Sequence, residues 1–203
     1  MNALALAALG FVAVLSVSLG PPAVRAGDVD SATQALQPTI DGVLTVLADP
    51  ALAGAARAPQ RQAALRKVME PAIDFPDAAR RALAVHWAAR TAGERAEFVG
   101  LFTDLVMESY AAQLDGYGIL GVVFVGESVD EDLVTVHTRV DNRHRPSVSI
   151  DYRMHRRDSR WLVYDVLVEG VSLVGNYRAQ FNTVIRTKSY AELVRRMKTH
   201  SAG

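Results

Sequence analysis

The sequence contains no cysteine among its 203 residues. This absence excludes disulfide bonds, thiol catalysis and cysteine-ligated zinc, so an exported form of the chain would have to rely on its hydrophobic core. A bias of charge is also absent, because 22 lysines and arginines balance 22 aspartates and glutamates. A chain without net charge gives no reason to expect a nucleic-acid partner.

Recognisable catalytic motifs are missing as well. The chain has no Gly-x-Ser-x-Gly elbow, no phosphate-binding loop and no aspartate-rich calcium loop. The stretch GYGILG, at 116–121, matches the dinucleotide-binding fingerprint in its letters. It follows a predicted helix and opens a predicted strand, which is the reverse of the order that this fingerprint requires.

The ionisable residues do not converge on a predicted site. His137 and His155 are expected on the wetter face of adjacent strands, and no pair of histidines has zinc-ligand spacing on a helix. Asp165 and Glu169 would lie about 13 Å apart along one strand, too far for the carboxylate pair of a glycosidase. We therefore predict no catalytic residue, no metal and no cofactor.

The first 26 residues have the pattern of a secretory signal peptide. An uncharged apolar run at 3–19 is broken by Pro21 and Pro22, and VRA at 24–26 resembles a cleavage site. The alternative is an uncleaved membrane anchor, but this run is short for crossing a bilayer. We predict cleavage after Ala26 and export of residues 27–203 as one domain.

The remaining chain reads as helices, then strands, then helices. Residues 28–115 carry apolar residues at helical spacing, and a capping box at Thr91 and Glu94 marks the start of the longest helix. The period changes to two over residues 119–168, with turn signals every eight to twelve residues. A helix capped by Ser172 follows the break at Gly170. The predicted class is α+β, with a four-stranded antiparallel sheet covered by N- and C-terminal helices.

The sheet carries more apolar side chains than a thin two-layer core plainly needs. Alternation places Val148, Ile150 and Tyr152 on one face of a strand, and Val166 and Val168 on one face of the next. Periodicity alone favours a filled core, because apolar alternation most often marks burial. A hollow between sheet and helices is the alternative.

A family resemblance bears on this choice. The stretch WLVYDVLVEGVSLVGNYRAQF, at 161–181, closely resembles the hallmark of the MlaC family of periplasmic phospholipid-binding proteins, also called toluene-tolerance auxiliary components. The pieces FPDAARRAL, TAGERAEF and RPSVSIDY occur in the order expected for that family. The resemblance as a whole covers roughly residues 30–200.

The resemblance implies a cone-like fold related to nuclear transport factors, with a deep apolar pocket between sheet and helices. It implies a monomeric periplasmic carrier, not an enzyme. The expected partners are a phospholipid ligand, the MCE-domain subunit of an inner-membrane ABC transporter and an outer-membrane lipoprotein complex, and the expected role is maintenance of outer-membrane lipid asymmetry. By family position, the expected lipid contacts are Phe102, Tyr110, Val148, Ile150, Tyr152, Val166, Val168 and Val171.

Several alternatives stay open on the sequence. The cargo could be another lipid of the hopanoid type, the pocket could serve a periplasmic enzyme, or a filled core could serve an adaptor. Asp165 and Glu169 are expected to pair with Arg80, Arg81 or Arg178. A basic patch between Arg153 and Arg160 is either a partner-binding surface or a solvated hairpin end.

Overall fold

The computed structural model describes residues 31–143 and 146–200, except for the side chains of residues 111–117 and 200. The predicted signal peptide and its cleavage site lie outside the described residues. Within the described ranges, no helix is both long enough and apolar enough to cross a membrane.

Four helices precede the sheet, and their starts follow local capping chemistry. Ser31 and Gln34 form a capping box at the first helix, and Thr91 and Glu94 form the predicted capping box at the fourth. Between the first two helices lie two short 3₁₀ helices, Pro50–Leu52 and Ala55–Arg57. The helices are α1 (Ala32–Ala48), α2 (Ala58–Met69), α3 (Phe75–Leu83) and α4 (Ala92–Tyr117).

The strands form one antiparallel sheet in which each strand pairs with the next along the chain. They are β1 (Ile119–Asp130), β2 (Leu133–Asn142), β3 (Val148–Arg157), β4 (Arg160–Val168) and β5 (Val171–Ser172). The predicted α+β class is confirmed, but the sheet has five strands where four were expected. The fifth strand forms because Glu169 and Gly170 adopt positive φ angles and turn the chain back, so that Val171 pairs with Val168.

Two helices complete the chain, namely α5 (Leu173–Thr187) and α6 (Tyr190–His200). The Ser172 hydroxyl accepts a hydrogen bond of 2.8 Å from the Gly175 amide, so the predicted cap of α5 is present. The Ser189 hydroxyl accepts in the same way from the Glu192 amide, at 3.0 Å, at the start of α6. The predicted start of α5 is therefore confirmed, and α6 begins by the same local capping chemistry.

The hydrophobic core consists of two clusters. In the first, the aromatic rings of Phe98, Phe102 and Phe181 join α4 to α5, together with residues of α3 and α6. In the second, α1 packs on β2, β3 and β4 through residues such as Leu36 and Val136. Ile73 touches both clusters, which places the space between them beside the segment that leads into α3.

Candidate functional site: an apolar cavity

A cavity lies between the two core clusters. Its volume is about 120 Å³, or about 1030 Å³ when all atom-free space out to its opening is counted. The strands supply its floor, and α1, α3, α4 and the start of α5 supply its walls. Most of its lining is aliphatic or aromatic, and the lining includes Leu36, Ile40, Leu44, Ile73, Phe75, Val106, Met107, Ile119, Val122, Val140, Val163, Leu173 and Val174.

Five of the eight sequence-predicted lipid contacts line this cavity. Phe102 and Tyr110 reach it from α4, Ile150 and Tyr152 from β3, and Val166 from β4. The register explains the floor, because Tyr152 stands opposite Val166 in the antiparallel ladder and side chains at opposed positions share one face of a sheet. The structure thus brings residues from three separate elements to one apolar surface.

The other three predicted contacts are not among the lining residues. Val148 and Val168 are half-buried, and Val168 pairs with Ile150 at one end of the shared ladder. Val171 lies in β5, beyond the tight turn, and its side chain is 65 % exposed. The role of all eight residues as lipid contacts stays a prediction.

The wall formed by α1 was not predicted from the sequence. Leu36, Ile40 and Leu44 recur at helical spacing, which predicts an amphipathic helix. That spacing does not say which distant surface the apolar side covers, so it could not assign α1 to the cavity. The Thr33 amide donates a hydrogen bond to the Glu127 carboxylate, which ties the first turn of α1 to β1. These two residues are far apart in the chain, so no pattern in the sequence indicates this contact.

Tyr152 brings a hydroxyl to the floor of the cavity. Burial raises the pKa of its phenol to about 12, and a hydrogen bond with Thr138 opposes part of that rise. Its side chain keeps some accessible surface because it faces the hollow. The phenol is therefore neutral near pH 7 and adds no charge to the cavity.

Asp165 is the one carboxylate among the lining residues of the described chain. Its oxygens accept from the amides of Val166, at 2.9 Å, and Val174, at 3.0 Å, and from the Ser172 hydroxyl, at 2.7 Å. The Arg153 guanidinium adds a contact of 3.3 Å. This buried carboxylate is fully engaged, and it joins β4, β5 and the start of α5.

These contacts correct the expected partners of the motif acids. Arg80 and Arg81 both pair with Asp77, one or nearly one helical turn away on α3. Asp165 pairs instead with Arg153 on the neighbouring strand, and Glu169 accepts from the Ser149 amide. Cross-strand pairing depends on register, which the sequence did not specify for these residues.

A second buried acid fixes α3 beside the sheet. Asp74 has a side chain that is 1 % exposed, and it caps α3 by accepting from the Asp77 amide at 3.1 Å. The same carboxylate contacts His155 Nε2 at 3.0 Å and an Arg157 nitrogen at 2.8 Å. Because Phe75 at the start of α3 lines the cavity, this network holds one wall in place from outside.

The predicted basic patch is largely engaged within the chain. Arg153 and Arg157 make the ion pairs just described, and Arg156 lies over the Trp161 ring at 5.5 Å. Arg160 donates to the Pro71 carbonyl at 3.0 Å. These contacts account for the patch as a structural feature of the β3–β4 hairpin, and its role in partner binding stays a prediction.

One polar cluster has the connectivity of a hydrolytic triad. Ser128 Oγ lies 2.9 Å from His137 Nε2, and His137 Nδ1 lies 2.9 Å from Asp151 Oδ1. The three residues project from β1, β2 and β3, and none of them lines the apolar cavity. Across the described residues, no group of three histidines and acids is placed to hold a metal ion.

Comparison with known proteins places the chain in a family. The family model described as "MlaC protein" matches residues 37–199. Among solved structures, the chain is similar to a phospholipid-binding protein from Ralstonia solanacearum in complex with a phospholipid. The two are 24 % identical, with a TM-score of 0.73, and the match covers 85 % of this chain and 98 % of that chain. That likeness shows a shared fold, and because the family model spans most of the sequence, this chain belongs to the MlaC family.

Proposed function

We propose that the protein is a carrier that binds phospholipid by its acyl chains. The observation that carries this proposal is the apolar cavity between sheet and helices, in a chain of the MlaC family. The structurally similar Ralstonia solanacearum protein was solved in complex with a phospholipid. Family membership, fold and cavity chemistry support the same kind of ligand.

The energetics of acyl chains suit such a site. Each methylene that leaves water is worth about 0.8 kcal/mol, so two ordinary acyl chains gain on the order of 20 kcal/mol before other costs. A cavity of about 120 Å³ resembles one that admits a molecule such as benzene, not two whole chains. In this proposal the helices therefore move away from the sheet as the chains enter.

The finer parts of the proposal follow from family membership. After cleavage behind Ala26, residues 27–203 act in the periplasm as one monomeric domain. The carrier moves phospholipid between an outer-membrane lipoprotein complex and the MCE-domain subunit of an inner-membrane ABC transporter, and it thereby maintains lipid asymmetry. The large gain from burying acyl chains also makes unaided release slow, so a partner has to open the cavity or accept the chains.

Native mass spectrometry of purified residues 27–203 tests the carrier. We expect a protein species whose added mass equals one phospholipid, or uptake of one after incubation with phospholipid vesicles. A protein that stays free of lipid in both experiments would contradict the proposal and favour an adaptor with a filled core.

A periplasmic hydrolase is the second candidate, and only the Ser128–His137–Asp151 cluster favours it. Hydrolysis also needs donors aimed at the developing oxyanion and a place for the substrate. The cluster lies on paired strands, whose amides are engaged in the ladder, and away from the apolar cavity. We infer that it is a cross-strand hydrogen-bond network. Its test is hydrolysis of p-nitrophenyl esters, where a rate that Ser128→Ala abolishes would restore the enzyme hypothesis.

A further inference from the structure

Two further pockets share lining residues with the apolar cavity. The first, here called the vestibule, shares Leu44 and Ile119 with the cavity and has a volume of about 910 Å³. The second, here called the Trp161 groove, shares Thr39 and Ala72 with it and has a volume of about 270 Å³. The vestibule is lined by Leu44, Leu47, Ala48, Ala53, Gly54, Ala55, Arg61, Gly118, Ile119, Leu120 and Arg143.

The cavity itself cannot neutralise an anionic phosphate. Its one carboxylate, Asp165, carries the wrong sign and is fully engaged, and Tyr152 is a neutral phenol. Burial of an unpaired phosphate among aliphatic side chains carries an idealised cost of tens of kcal/mol, enough to cancel the gain of about 20 kcal/mol from the acyl chains. A phosphate attached to bound acyl chains therefore lies outside this apolar lining, and the adjoining pockets are the places beside the cavity where arginines are found.

The two pockets differ in the cation that each can offer. In the Trp161 groove, the Arg160 guanidinium already donates to the Pro71 carbonyl at 3.0 Å. In the vestibule, Arg61 is buried and donates to the carbonyls of Leu52 and Gly54, so it holds the alanine-rich segment 49–57 in place. These two arginines are occupied by the protein's own backbone.

Arg143 is the remaining cation of the vestibule. Its backbone amide donates to the Gly118 carbonyl at 3.1 Å, which fixes it beside the start of β1. Its side chain is exposed, and among the described residues its guanidinium has no hydrogen-bond or ion-pair partner. A guanidinium can hold a phosphate through two parallel hydrogen bonds.

We propose that the vestibule receives the phosphate of the lipid and that Arg143 is its cation. The inference rests on the proposed carrier function and assigns to one side chain the contact that distinguishes a phosphate-bearing diacyl lipid from a neutral lipid. Leu44 and Ile119, which belong to both pockets, would contact the first methylenes below the head group. The segment held by Arg61 supplies Ala53, Gly54 and Ala55 to the same lining.

A competition between two lipids with the same acyl chains tests this assignment. Delipidated residues 27–203 are incubated with equal amounts of dioleoyl phosphatidylethanolamine and dioleoylglycerol, and the bound ratio is read by native mass spectrometry. The unchanged protein should favour the phospholipid, and Arg143→Gln should lower the ratio by about three- to tenfold because a charge-assisted contact is lost. Arg160→Gln, in the other pocket, is the matched control and should leave the ratio unchanged.

The outcomes separate this inference from the carrier function. If both lipids are taken up and Arg143→Gln does not change their ratio, the head-group site is wrong while the carrier remains. The site is equally wrong if Arg160→Gln changes the ratio instead. Uptake of neither lipid by the unchanged protein contradicts the carrier itself. Inorganic phosphate is the last arm: displacement of bound phospholipid by millimolar phosphate would assign Arg143 to free anions and overturn the proposal.

Discussion

Asp165 and Tyr152 on the cavity floor present no unpaired charge to the cavity. The Asp165 oxygens accept hydrogen bonds from the Val174 amide and the Ser172 hydroxyl, and they pair with the Arg153 guanidinium. Tyr152 is held neutral by burial. The groups packed around these two residues determine the partners of Asp165 and the protonation of Tyr152. The sequence alone does not show those neighbouring groups, which is why it misassigned the partners of Asp165.

The raised pKa of Tyr152 gives a prediction at high pH. An unfolded tyrosine ionises near pH 10, whereas the folded phenol resists ionisation until about pH 12. The unfolded state therefore loses this proton first, and the stability contributed by the neutral phenol is complete below pH 10 and lost as the pH rises from 10 to 12. Relative to Tyr152→Phe, the unchanged protein should lose about 1 kcal/mol of unfolding free energy between pH 9 and 11.

Urea denaturation of both proteins at several pH values measures this difference. The other tyrosines are present in both proteins, so their titration cancels in the comparison. Parallel pH profiles for the two proteins would mean that the Tyr152 phenol is not shielded from water.

At the scale of single elements, β1 separates the two faces of the sheet most clearly. Val122 lines the cavity and stands opposite Val140, while the adjacent Val123 is 43 % exposed and stands opposite Arg139. Successive side chains of a strand point to opposite faces, so neighbours in sequence occupy different environments.

This pair supplies a matched test of the cavity. Val122→Glu places a carboxylate among apolar lining residues, and we expect it to abolish lipid retention in native mass spectrometry. Val123→Glu makes the same kind of substitution on the outer face and should leave the retained lipid unchanged. Circular dichroism shows whether both variants are folded, and equal lipid content in two folded variants would contradict the assignment of the cavity. The same assay on Val171→Glu tests the contact that family position predicts.

Local signals made the element boundaries predictable. The capping box at Thr91 and the hydroxyl of Ser172 predicted the starts of α4 and α5. Both signals are hydrogen bonds between residues within one helical turn, so they can be recognised in the sequence. The short strand β5 was missed because two residues carry no periodicity. The β-bulge at Tyr164, where the register of β3 and β4 shifts, was missed for a related reason: an extra residue in a strand leaves no compositional mark.

At the scale of the whole molecule, the cavity exists because two core clusters do not merge. One cluster is built by the four helices α3, α4, α5 and α6, and the other by α1 and the sheet. The two clusters meet at Ile73. The sequence indicated both apolar groups. It did not indicate that they would enclose a space, since periodicity reports burial and not the volume left between buried surfaces. Family resemblance supplied that expectation.

A bound lipid should stabilise the whole fold. A ligand that binds only the folded state adds about 2.7 kcal/mol at a free concentration 100 times its dissociation constant. For a chain of this size that corresponds to a rise of about 5–10 °C in the unfolding temperature. Differential scanning calorimetry of lipid-loaded and delipidated protein measures the rise, with Val122→Glu as the variant that should not respond. Identical unfolding temperatures for the two forms of the unchanged protein would argue against uptake into the fold.

The position of α1 sets the order in which the fold can be completed. This helix stands first among the described elements and packs on its sequence neighbour α2, yet the rest of the surface it covers belongs to the sheet, which is synthesised much later. The sheet can assemble hairpin by hairpin, because each strand pairs with its sequence neighbour. An emerging chain therefore leaves part of the apolar side of α1 uncovered until the last long strand arrives, and a chaperone that recognises exposed apolar helices has its best opportunity during that interval.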